Sequence, residues 1–395
     1  MSWIQQVLDA TEEAESPRAF VYWAALTSIA AVMRKNVWID KHLYKLYPNI
    51  YVLLVAKSGM RKAFPVTLAK KLVRGTKVTR VIAGRNSVQA IIQDLATAFT
   101  LPNGGMITDG HGFLAAGEFS SFIIRDQDAL TILTDLYDTY DHEPEWRNLL
   151  KSGTETIANP CITMLGASNQ THLRDKISQV DIDGGFVGRT LMIVGEEKYK
   201  LNPLMDAPDH PIDFDSLIEH LKEISRLKGQ FIIEPEAKDI YSKWYLDFGS
   251  RDHDDRTGST NRIHDHILKV SMLIALSQRV DLKITPEDMQ ASIDSCLAFM
   301  SNVNKTVMPG TKSQLAEATK SVLTELLSKA NQEISRPKLL QKLWGDVDAI
   351  DLDRVLDTLS QAGLIIIRNS SQGPMYSLSP VAKRKYLEYK AEKVK

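Results

Sequence analysis

Hydrophobic residues fall into two alternating patterns through the first half of this chain of 395 residues. Between residues 48 and 195, short apolar runs are separated by stretches in which apolar positions recur at helical spacing. The runs are YVLLVA (51–56), VTRVIA (78–83), GFLAAGE (112–118), CITMLGAS (161–168) and RTLMIVG (189–195). This alternation predicts an α/β core over 46–200, with a mostly parallel five-stranded sheet flanked by helices.

Helical spacing dominates on both sides of this core. Residues 1–45 predict an N-terminal helical region with an extended piece near 37–39. A stretch bearing proline and aspartate begins near residue 201, and the pattern then predicts a helical lid domain over 201–307, all-helical from 236 to 305. Its most apolar helix is IHDHILKVSMLIALSQ.

The last part of the chain predicts a separate domain after a linker at 308–312. Three helical patterns, followed by two strand-like runs around a Ser-Ser-Gln-Gly-Pro turn, predict a winged helix-turn-helix with a basic tail over 313–395. The helix that would enter a DNA groove, DAIDLDRVLDTL, is acidic. We therefore expect this domain to serve assembly, partner docking or non-specific DNA contact rather than sequence-specific recognition.

Composition excludes several classes of protein. The formal net charge is −1, and this near-neutral value argues neither for nor against nucleic acid as a partner. No apolar run is long enough to span a bilayer, and the N-terminus lacks the pattern of a signal peptide, so we expect a cytoplasmic protein without a membrane partner. Cys161 and Cys296 lie far apart in apolar surroundings, which favours buried free thiols over a disulfide or a metal site.

The segment NIYVLLVAKSGMRKAFPVTLAKKL (49–72) carries the first candidate chemistry. It predicts a buried strand, a small basic loop with one glycine, and a helix. This is the order of a phosphate-binding loop, in which N–H groups at the helix start hold a polyphosphate and a lysine reaches its outer oxygens. The candidate nucleotide-binding residues are Ser58, Gly59, Arg61, Lys62 and Ala63.

The loop departs from the pattern GxxxxGK[ST] at three of its four signature positions. Ala56 replaces the first glycine, Arg61 replaces the second, and Ala63 replaces the Ser or Thr whose hydroxyl would bind Mg²⁺. Only Lys62 stands where the pattern requires it. A strand, turn and helix without a ligand remains the alternative interpretation.

Two polar residues follow later strands of the predicted sheet. Glu118 comes just after the third apolar run, where a P-loop ATPase keeps the carboxylate that polarises the attacking water, but Gly117 replaces the aspartate that usually precedes it. Asn169 ends the fourth run, beside the first strand in such folds, where its amide would orient the water or contact the γ-phosphate. The alternatives are a surface glutamate and a turn asparagine.

Two arginines complete the set. Arg189 enters the fifth run from a glycine-rich turn, and its planar guanidinium suits the developing charge on the nucleotide of a neighbouring subunit. Arg262, at the start of the most apolar helix, would be a second phosphate sensor. A salt bridge at a strand edge and a helix-surface arginine are the respective alternatives.

The order of these elements resembles that of the AAA+ ATPases: a loop lysine, a strand-end glutamate, a strand-end asparagine, an arginine before the last strand, and a helical lid with an arginine. More closely, the chain is similar to a family of phage and prophage ATPases that occur beside or fused to primases. The resemblance covers about residues 15–305. It is carried by YPNIYVLLVAKSGMRK, GFLAAGEFSSFI, ITMLGASNQTHLRD, GGFVGRT and HDHILKVSMLIAL.

This resemblance implies binding of ATP and Mg²⁺, assembly into a ring, and work on DNA during replication, with Lys62, Glu118, Asn169 and Arg189 in the roles given above. The departures at Ala63 and Gly117 leave the Mg²⁺ ligands unidentified.

A further segment, EWRNLLKSGTETIANP (145–160), predicts two short strands around Lys151. The minichromosome maintenance helicases have a hairpin with a basic tip at the comparable place, projecting into the central channel of the ring. By that resemblance Lys151, and with it Arg147, would contact DNA phosphates without regard to sequence. A plain surface hairpin is the alternative.

Together these observations predict an ATP-dependent oligomeric motor, most simply a phage-type replicative helicase that acts on single-stranded DNA as a homo-hexameric ring. A primase or polymerase would be its protein partner. Two other classes remain open: an AAA+-like loader or assembly protein that binds DNA but hydrolyses ATP poorly, and a regulator that uses the winged helix.

Overall fold

The structure, a computed structural model, describes most of the chain. The described residues are 1–84, 87–119, 129–138, 145–150, 153–177, 181–182, 184–203, 212–251, 253, 255, 257–307, 314–328, 333–344, 347–370 and 373–384. Two compact units divide the chain, Met1–Met308 and Pro309–Lys395. The predicted linker at 308–312 lies outside the described residues.

The first unit contains helices α1–α10 and strands β1–β13 among the described residues. The helices are α1 (Trp3–Ala10), α2 (Arg18–Met33), α3 (Ala63–Thr76), α4 (Val88–Leu95), α5 (Ala129–Tyr137), α6 (Gln170–Lys176), α7 (Phe214–Ile224), α8 (Pro235–Gly249), α9 (Ser259–Gln278) and α10 (Pro286–Val307). The strands are β1 (Val37–Asp40), β2 (Lys45–Leu46), β3 (Tyr51–Val55), β4 (Arg80–Ala83), β5 (Phe99–Thr100), β6 (Met106–Ile107), β7 (Asp109–Ala116), β8 (Glu145–Leu150), β9 (Gly153–Ser168), β10 (Thr190–Val194), β11 (Gly229–Gln230), β12 (Ile232–Ile233) and β13 (Lys283–Ile284).

The five predicted strands form one parallel sheet in the order β10-β3-β9-β7-β4. The register is set at its centre, where Tyr51 stands opposite Met164 and Thr190. Every residue of β3 is buried, as expected for a parallel strand covered on both faces. The predicted α/β class with a parallel sheet flanked by helices is confirmed.

The sheet has a sixth strand that the sequence pattern separated from it. β8 pairs antiparallel with the first part of β9, so the second strand of the predicted hairpin and the fourth apolar run belong to a single strand of 16 residues. Asn159, with φ at +44°, lies midway along β9, and its amide donates to Asp109 at 3.0 Å. Asparagine tolerates this left-handed backbone better than most residues do.

Helix α2 joins the N-terminal region to the core rather than forming a layer apart. It has 13 buried residues out of 16, so it is apolar on all sides. It packs against β9 and α3 on one side and α9 on another. The N-terminal helices, the sheet and helices α7–α10 therefore share one hydrophobic core.

The region 236–305 is not entirely helical as predicted. The two-residue strand β13 separates α9 from α10 and pairs in parallel with β12. β11 likewise pairs with β1, next to the N-terminal helices. The β11–β1 pairing fastens the region after residue 212 to the rest of the unit, whereas the β12–β13 pairing lies within that region.

The second unit has its own core of buried side chains. Its elements are α11 (Gln314–Ser328), β14 (Ile334–Ser335), α12 (Arg336–Leu343), α13 (Ala349–Gln361), β15 (Ile365–Ser370) and β16 (Gly373–Leu378). The three strands form an antiparallel sheet in the order β14-β16-β15. In neither unit is a helix of the described residues long and apolar enough to cross a membrane.

Candidate functional site

The candidate loop, Asn169 and Glu118 follow parallel strands whose carboxyl ends lie at the same end of the sheet, called here its carboxyl edge. The loop 56–62 follows β3, Asn169 follows β9, and Glu118 comes two residues after β7. Because β9 pairs with both β3 and β7, Asn169 stands between the other two along this edge. The predicted pairing of the fourth strand with the first is confirmed. This carboxyl edge is where ligands of open α/β sheets bind.

The loop backbone is fixed at its start and sharply turned at its end. Ala56 N–H donates to Ser168 O at 3.2 Å, which ties the loop to β9. Gly59 has φ at +86° and Arg61 has φ at +52°. Arg61 thus adopts a left-handed conformation at the position where the phosphate-loop pattern has a glycine, at a cost of about 1 kcal/mol relative to glycine. Lys62 then caps α3.

Glu15 holds this strained turn from outside the loop. Arg61 Nε donates to one of its carboxylate oxygens at 2.9 Å, and Lys198 Nζ lies 3.0 Å from both. Glu15 is only 6% exposed. The hydrogen bond from Arg61, and then that from Lys198, lower the pKa of Glu15 to about 2. Arg61 therefore takes part in positioning the loop, and its contact with a phosphate stays a prediction.

Lys62 lies against its own loop. Its Nζ is 3.4 Å from Lys57 O, and the side chain is half-buried. Lys57 and Ser58 are exposed next to it. Helix α3 begins at Ala63, and the positive end of its dipole adds to the charge of the two lysines. The loop therefore has the charge and backbone geometry to hold a phosphate.

A divalent metal does not find its usual ligands here. Ala63 presents a methyl group where a hydroxyl is needed, and Gly117 has no side chain. Within the described part of the chain, no group of three or more His, Cys, Asp and Glu residues could hold a metal ion. Ala63 and Gly117 therefore lack the side-chain ligands that the usual pattern places at these two positions.

Glu118 and Asn169 have contacts that bear on their predicted roles. Glu118 is 48% exposed, and its Oε1 lies 4.0 Å from Nδ1 of His172, which the sequence analysis did not select. Asn169 is the N-cap of α6, where its side chain accepts from Thr171 N–H at 3.0 Å. The amide oxygen of Asn169 therefore stabilises a helix start.

Arg189 and Arg262 lie at the opposite edge of the sheet. Arg189 directly precedes β10, and its neighbour Thr190 pairs with Tyr51 at the amino end of β3. The five residues of β3 separate this end from the loop. At 3.3 Å per residue, the distance along the strand is about 16 Å. Within one subunit, neither arginine shares an edge with Lys62.

Both arginines converge on Asp138. Arg189 Nε donates to Asp138 Oδ2 at 2.7 Å, and its Nη1 donates to Gly185 O at 3.1 Å. Arg262 Nη1 lies 3.8 Å from the same carboxylate oxygen. Arg189 is only 13% exposed. The strand-edge salt bridge named as its alternative role is therefore present.

A cavity of about 340 Å³ adjoins these arginines. Lys269 lines its wall, and Lys269 Nζ donates to the main-chain and side-chain oxygens of Asn49 at 2.9 and 3.0 Å. Burial lowers the pKa of Lys269 to about 8. The lysine therefore links α9 to the segment just before β3. The sequence did not predict this contact, because Lys269 and Asn49 are 220 residues apart.

The predicted hairpin is present as β8 and the first part of β9. Its contact with DNA stays a prediction. Arg147 is exposed on β8, and its Nη2 lies 2.7 Å from Glu145 on the same strand. Lys151, at the predicted tip, lies outside the described residues.

Comparison with models of protein families finds no family that matches this chain. Comparison with curated proteins likewise finds no relative. The function of the chain is therefore inferred from the residues and contacts described above.

Proposed function

We propose that the chain is an ATP-dependent motor that acts on single-stranded DNA, built on an AAA+-like P-loop core with a helical lid and a C-terminal winged helix. The observation that carries this proposal is the order of the candidate residues along the carboxyl ends of the strands. The basic loop, Asn169 and Glu118 follow three adjacent parallel strands, where one polyphosphate can meet all of them. A phage-type replicative helicase is the simplest member of this class.

In the proposed mechanism, N–H groups at the start of α3 and the Lys62 ammonium hold the β- and γ-phosphates. Glu118 accepts a proton from the attacking water, and Asn169 orients that water. ATP is the substrate. Mg²⁺, when bound, would neutralise phosphate charge, with water and phosphate oxygens as ligands, which leaves Glu118 to act as the base.

Arg189 acts in this proposal on the nucleotide of a neighbouring subunit. Its place at the amino edge, away from its own loop, supports this role, since an arginine there can reach a phosphate only across an interface. The phosphate would take the place of the Asp138 carboxylate. A ring of identical subunits, hexameric by the resemblance, would then pass one DNA strand by successive closures, with a primase or polymerase as partner.

Hydrolysis measured on three samples tests the proposal. Lys62→Ala and Arg189→Ala should each abolish DNA-stimulated ATP hydrolysis, while only Lys62→Ala should weaken nucleotide binding by isolated subunits. A mixture of the two variants should regain part of the activity, because an intact loop then meets an intact arginine at some interfaces. Purified protein that neither binds nor hydrolyses any nucleoside triphosphate would contradict the proposal.

A second candidate function has an observation of its own. Ala63 and Gly117 remove the usual metal ligands, and Arg61 is occupied by Glu15. These features favour a loader or assembly protein that keeps the nucleotide fold but hydrolyses poorly. Near-zero turnover, with intact binding of ATP and DNA, would select this function over the motor.

The second unit supports docking more than reading of DNA. Its three helices and antiparallel sheet are compatible with a winged helix, but α13 carries Asp351, Asp353 and Asp357. Arg336 of α12 is paired with Asp353, at 2.5 Å from Nε, and so adds little free positive charge. A sequence-selective footprint on DNA would instead favour the regulator.

A further inference from the structure

Helix α8 is rich in aromatic residues yet hardly buried. Of its 15 residues only Ala237 is buried. Tyr241, Trp244, Tyr245 and Phe248 recur at spacings of three and four, so their side chains lie on one side of the helix. Three of these rings pack partly against the core, but Tyr245 is 48% exposed. An amphipathic helix of this composition normally buries its aromatic side.

The rings form a continuous row. Tyr241 lies 6.0 Å from Tyr245 and 5.9 Å from Trp244, measured between ring centroids. Trp244 stacks on Phe248 at 5.1 Å, and Phe248 stacks on His253 at 4.2 Å. Tyr245 also meets the His264 ring edge-on at 5.7 Å between centroids, and the exposed part of its ring is available as a stacking platform.

The turn between β1 and β2 brings positive charge to this row. Lys41 Nζ lies 6.0 Å from the ring centroid of Tyr241, which joins the turn to α8. Lys45 Nζ lies 4.9 Å from the ring of Trp38 in the same hairpin. Leu43, at the tip of the turn, is 85% exposed, and Tyr44 is also exposed. The turn thus presents two lysines and two apolar side chains to solvent.

The two aspartates of α8 lie differently with respect to the row. Asp239 is two positions before Tyr241, which places it on the opposite side of a helix with 3.6 residues per turn, whereas Asp247 is three positions after Trp244 and lies beside the row. Asp247 is further paired with Arg251. The Arg251 pair offsets the charge of Asp247, which reduces its repulsion of an anion that approaches the rings and the two lysines.

A cavity of about 580 Å³ continues this surface between the end of α8 and the start of α9. Its lining includes Trp244, Tyr245 and Phe248 together with Asn261 and His264. Aromatic walls with a few hydrogen-bonding groups and this volume suit a flat heterocycle such as a nucleobase.

We propose that Lys41, Tyr44, Lys45, Tyr241 and Tyr245 form a binding surface for single-stranded nucleic acid, named here the tyrosine–lysine surface. Bases stack on the exposed tyrosines, phosphates contact the two lysines, and one base enters the cavity beside Tyr245. The strand is taken as DNA because this inference rests on the proposed function. Tyr44 and Lys45 of this surface also line the cavity beside Arg189 and Arg262.

A single strand fits this surface better than a duplex does, because paired bases hide the faces that would stack on tyrosine. An acidic protein segment would meet the same lysines. It would not need base stacking, so the response to removal of one ring distinguishes the two partners.

Binding of fluorescent oligothymidylate to the full chain, followed by anisotropy over a salt series without nucleotide, tests the proposal. Tyr245→Ala should weaken binding by roughly 5- to 100-fold and leave the salt dependence unchanged, because it removes a stacking partner. Lys41→Gln should reduce the slope of log K against log salt by about 0.7, the value for one phosphate contact on a single strand.

Two controls fix the interpretation. Lys243→Gln removes an exposed charge from the opposite side of α8 and should bind like the parent protein. Lys62→Ala should also bind like the parent, which separates this surface from the nucleotide site. Absence of ATP hydrolysis by the parent protein, with these binding results intact, would overturn the proposed motor and leave the surface standing.

Three results would overturn the surface itself. One is unchanged affinity and salt slope in both Tyr245→Ala and Lys41→Gln, with circular dichroism showing that the variants fold. Another is equal affinity for a duplex of the same length. The third is absence of binding by the parent protein at low salt.

Discussion

At each of the two ends of the parallel strands, one carboxylate contacts two cationic side chains. Glu15 receives Arg61 and Lys198 at the loop, and Asp138 receives Arg189 and Arg262 at the other edge. Such groups are far from their partners in sequence, by 46 residues for Glu15 and Arg61. Their contribution depends on burial, because a half-buried ion pair loses less to water than an exposed one.

Asp138→Asn should lower the free energy of unfolding by about 2 kcal/mol, because it leaves Arg189 without its charged partner. The loss stays below that of a fully buried pair, since Asp138 is 28% exposed. Urea denaturation at pH 7.5 measures the change. Glu145→Gln, which breaks the exposed pair with Arg147, is the matched control and should cost no more than about 1 kcal/mol. Equal effects of the two substitutions would contradict this assignment.

Protonation of His266 should make stability depend on pH. Burial lowers the pKa of His266 from 6.5 to about 4, with Nε2 placed 3.0 Å from Gly188 O. A lowered folded-state pKa means that this stability is complete above pH 6.5 and is lost as the pH falls towards 4. The expected slope from this one group is about 1.4 kcal/mol per pH unit.

His266→Gln should therefore flatten the dependence of unfolding free energy on pH between 6.5 and 5. His111, whose pKa burial lowers to about 3, keeps its own contribution of the same sign. Urea denaturation at several pH values measures both slopes. A variant whose slope equals that of the parent protein would show that His266 does not carry the effect.

At the scale of elements, the helix that starts at Asn169 combines a structural and a proposed catalytic residue. The side chain of Asn169 accepts from Thr171 N–H, and α6 has only 7 residues, so its cap is a large part of its stability. The same residue is proposed to orient water. Substitutions that keep or remove the cap separate these roles.

Asn169→Ser should keep the unfolding free energy within about 0.5 kcal/mol, because serine caps nearly as well, whereas Asn169→Ala should cost about 1 kcal/mol. If the amide orients water, both variants should lose ATP hydrolysis to a similar extent. Thermal denaturation and steady-state turnover measure the two properties. Full turnover in Asn169→Ser would restrict Asn169 to its capping role.

The apolar pattern predicted the five parallel strands because each run is long enough to be buried on both faces. It missed pairs such as β12 with β13, since two residues carry no period. It also cut β9 in two, because the half that pairs with β8 is partly exposed. For the site, strand ends placed Glu118 and Asn169 correctly at one edge. The engagement of Arg61 by Glu15 depends on tertiary contact, which no local pattern contains.

At the scale of the whole molecule, the chain consists of two units with separate cores. The second unit buries residues such as Val322, Leu339 and Val355 among its own elements. A core of this kind indicates that the unit folds without the first one.

A fragment of residues 309–395 should therefore unfold cooperatively, with the helical circular dichroism signal expected from α11–α13. Calorimetry of the full chain should contain a transition that matches the fragment. Because α13 is acidic, the fragment should bind duplex DNA only weakly at physiological salt. A fragment that lacks cooperative unfolding would show that the two units depend on each other.

The central claim is that the loop after β3 holds the phosphates of a nucleotide. Titration of the full chain with a fluorescent ATP analogue, in the presence of Mg²⁺, measures this directly for the parent protein, for Lys62→Ala and for Lys70→Ala on the same helix as a control. The account predicts saturable binding in the parent and in Lys70→Ala, and binding weakened at least about tenfold in Lys62→Ala, as expected for loss of a charged phosphate contact. Equal binding by all three proteins, or no binding by any of them, would contradict it.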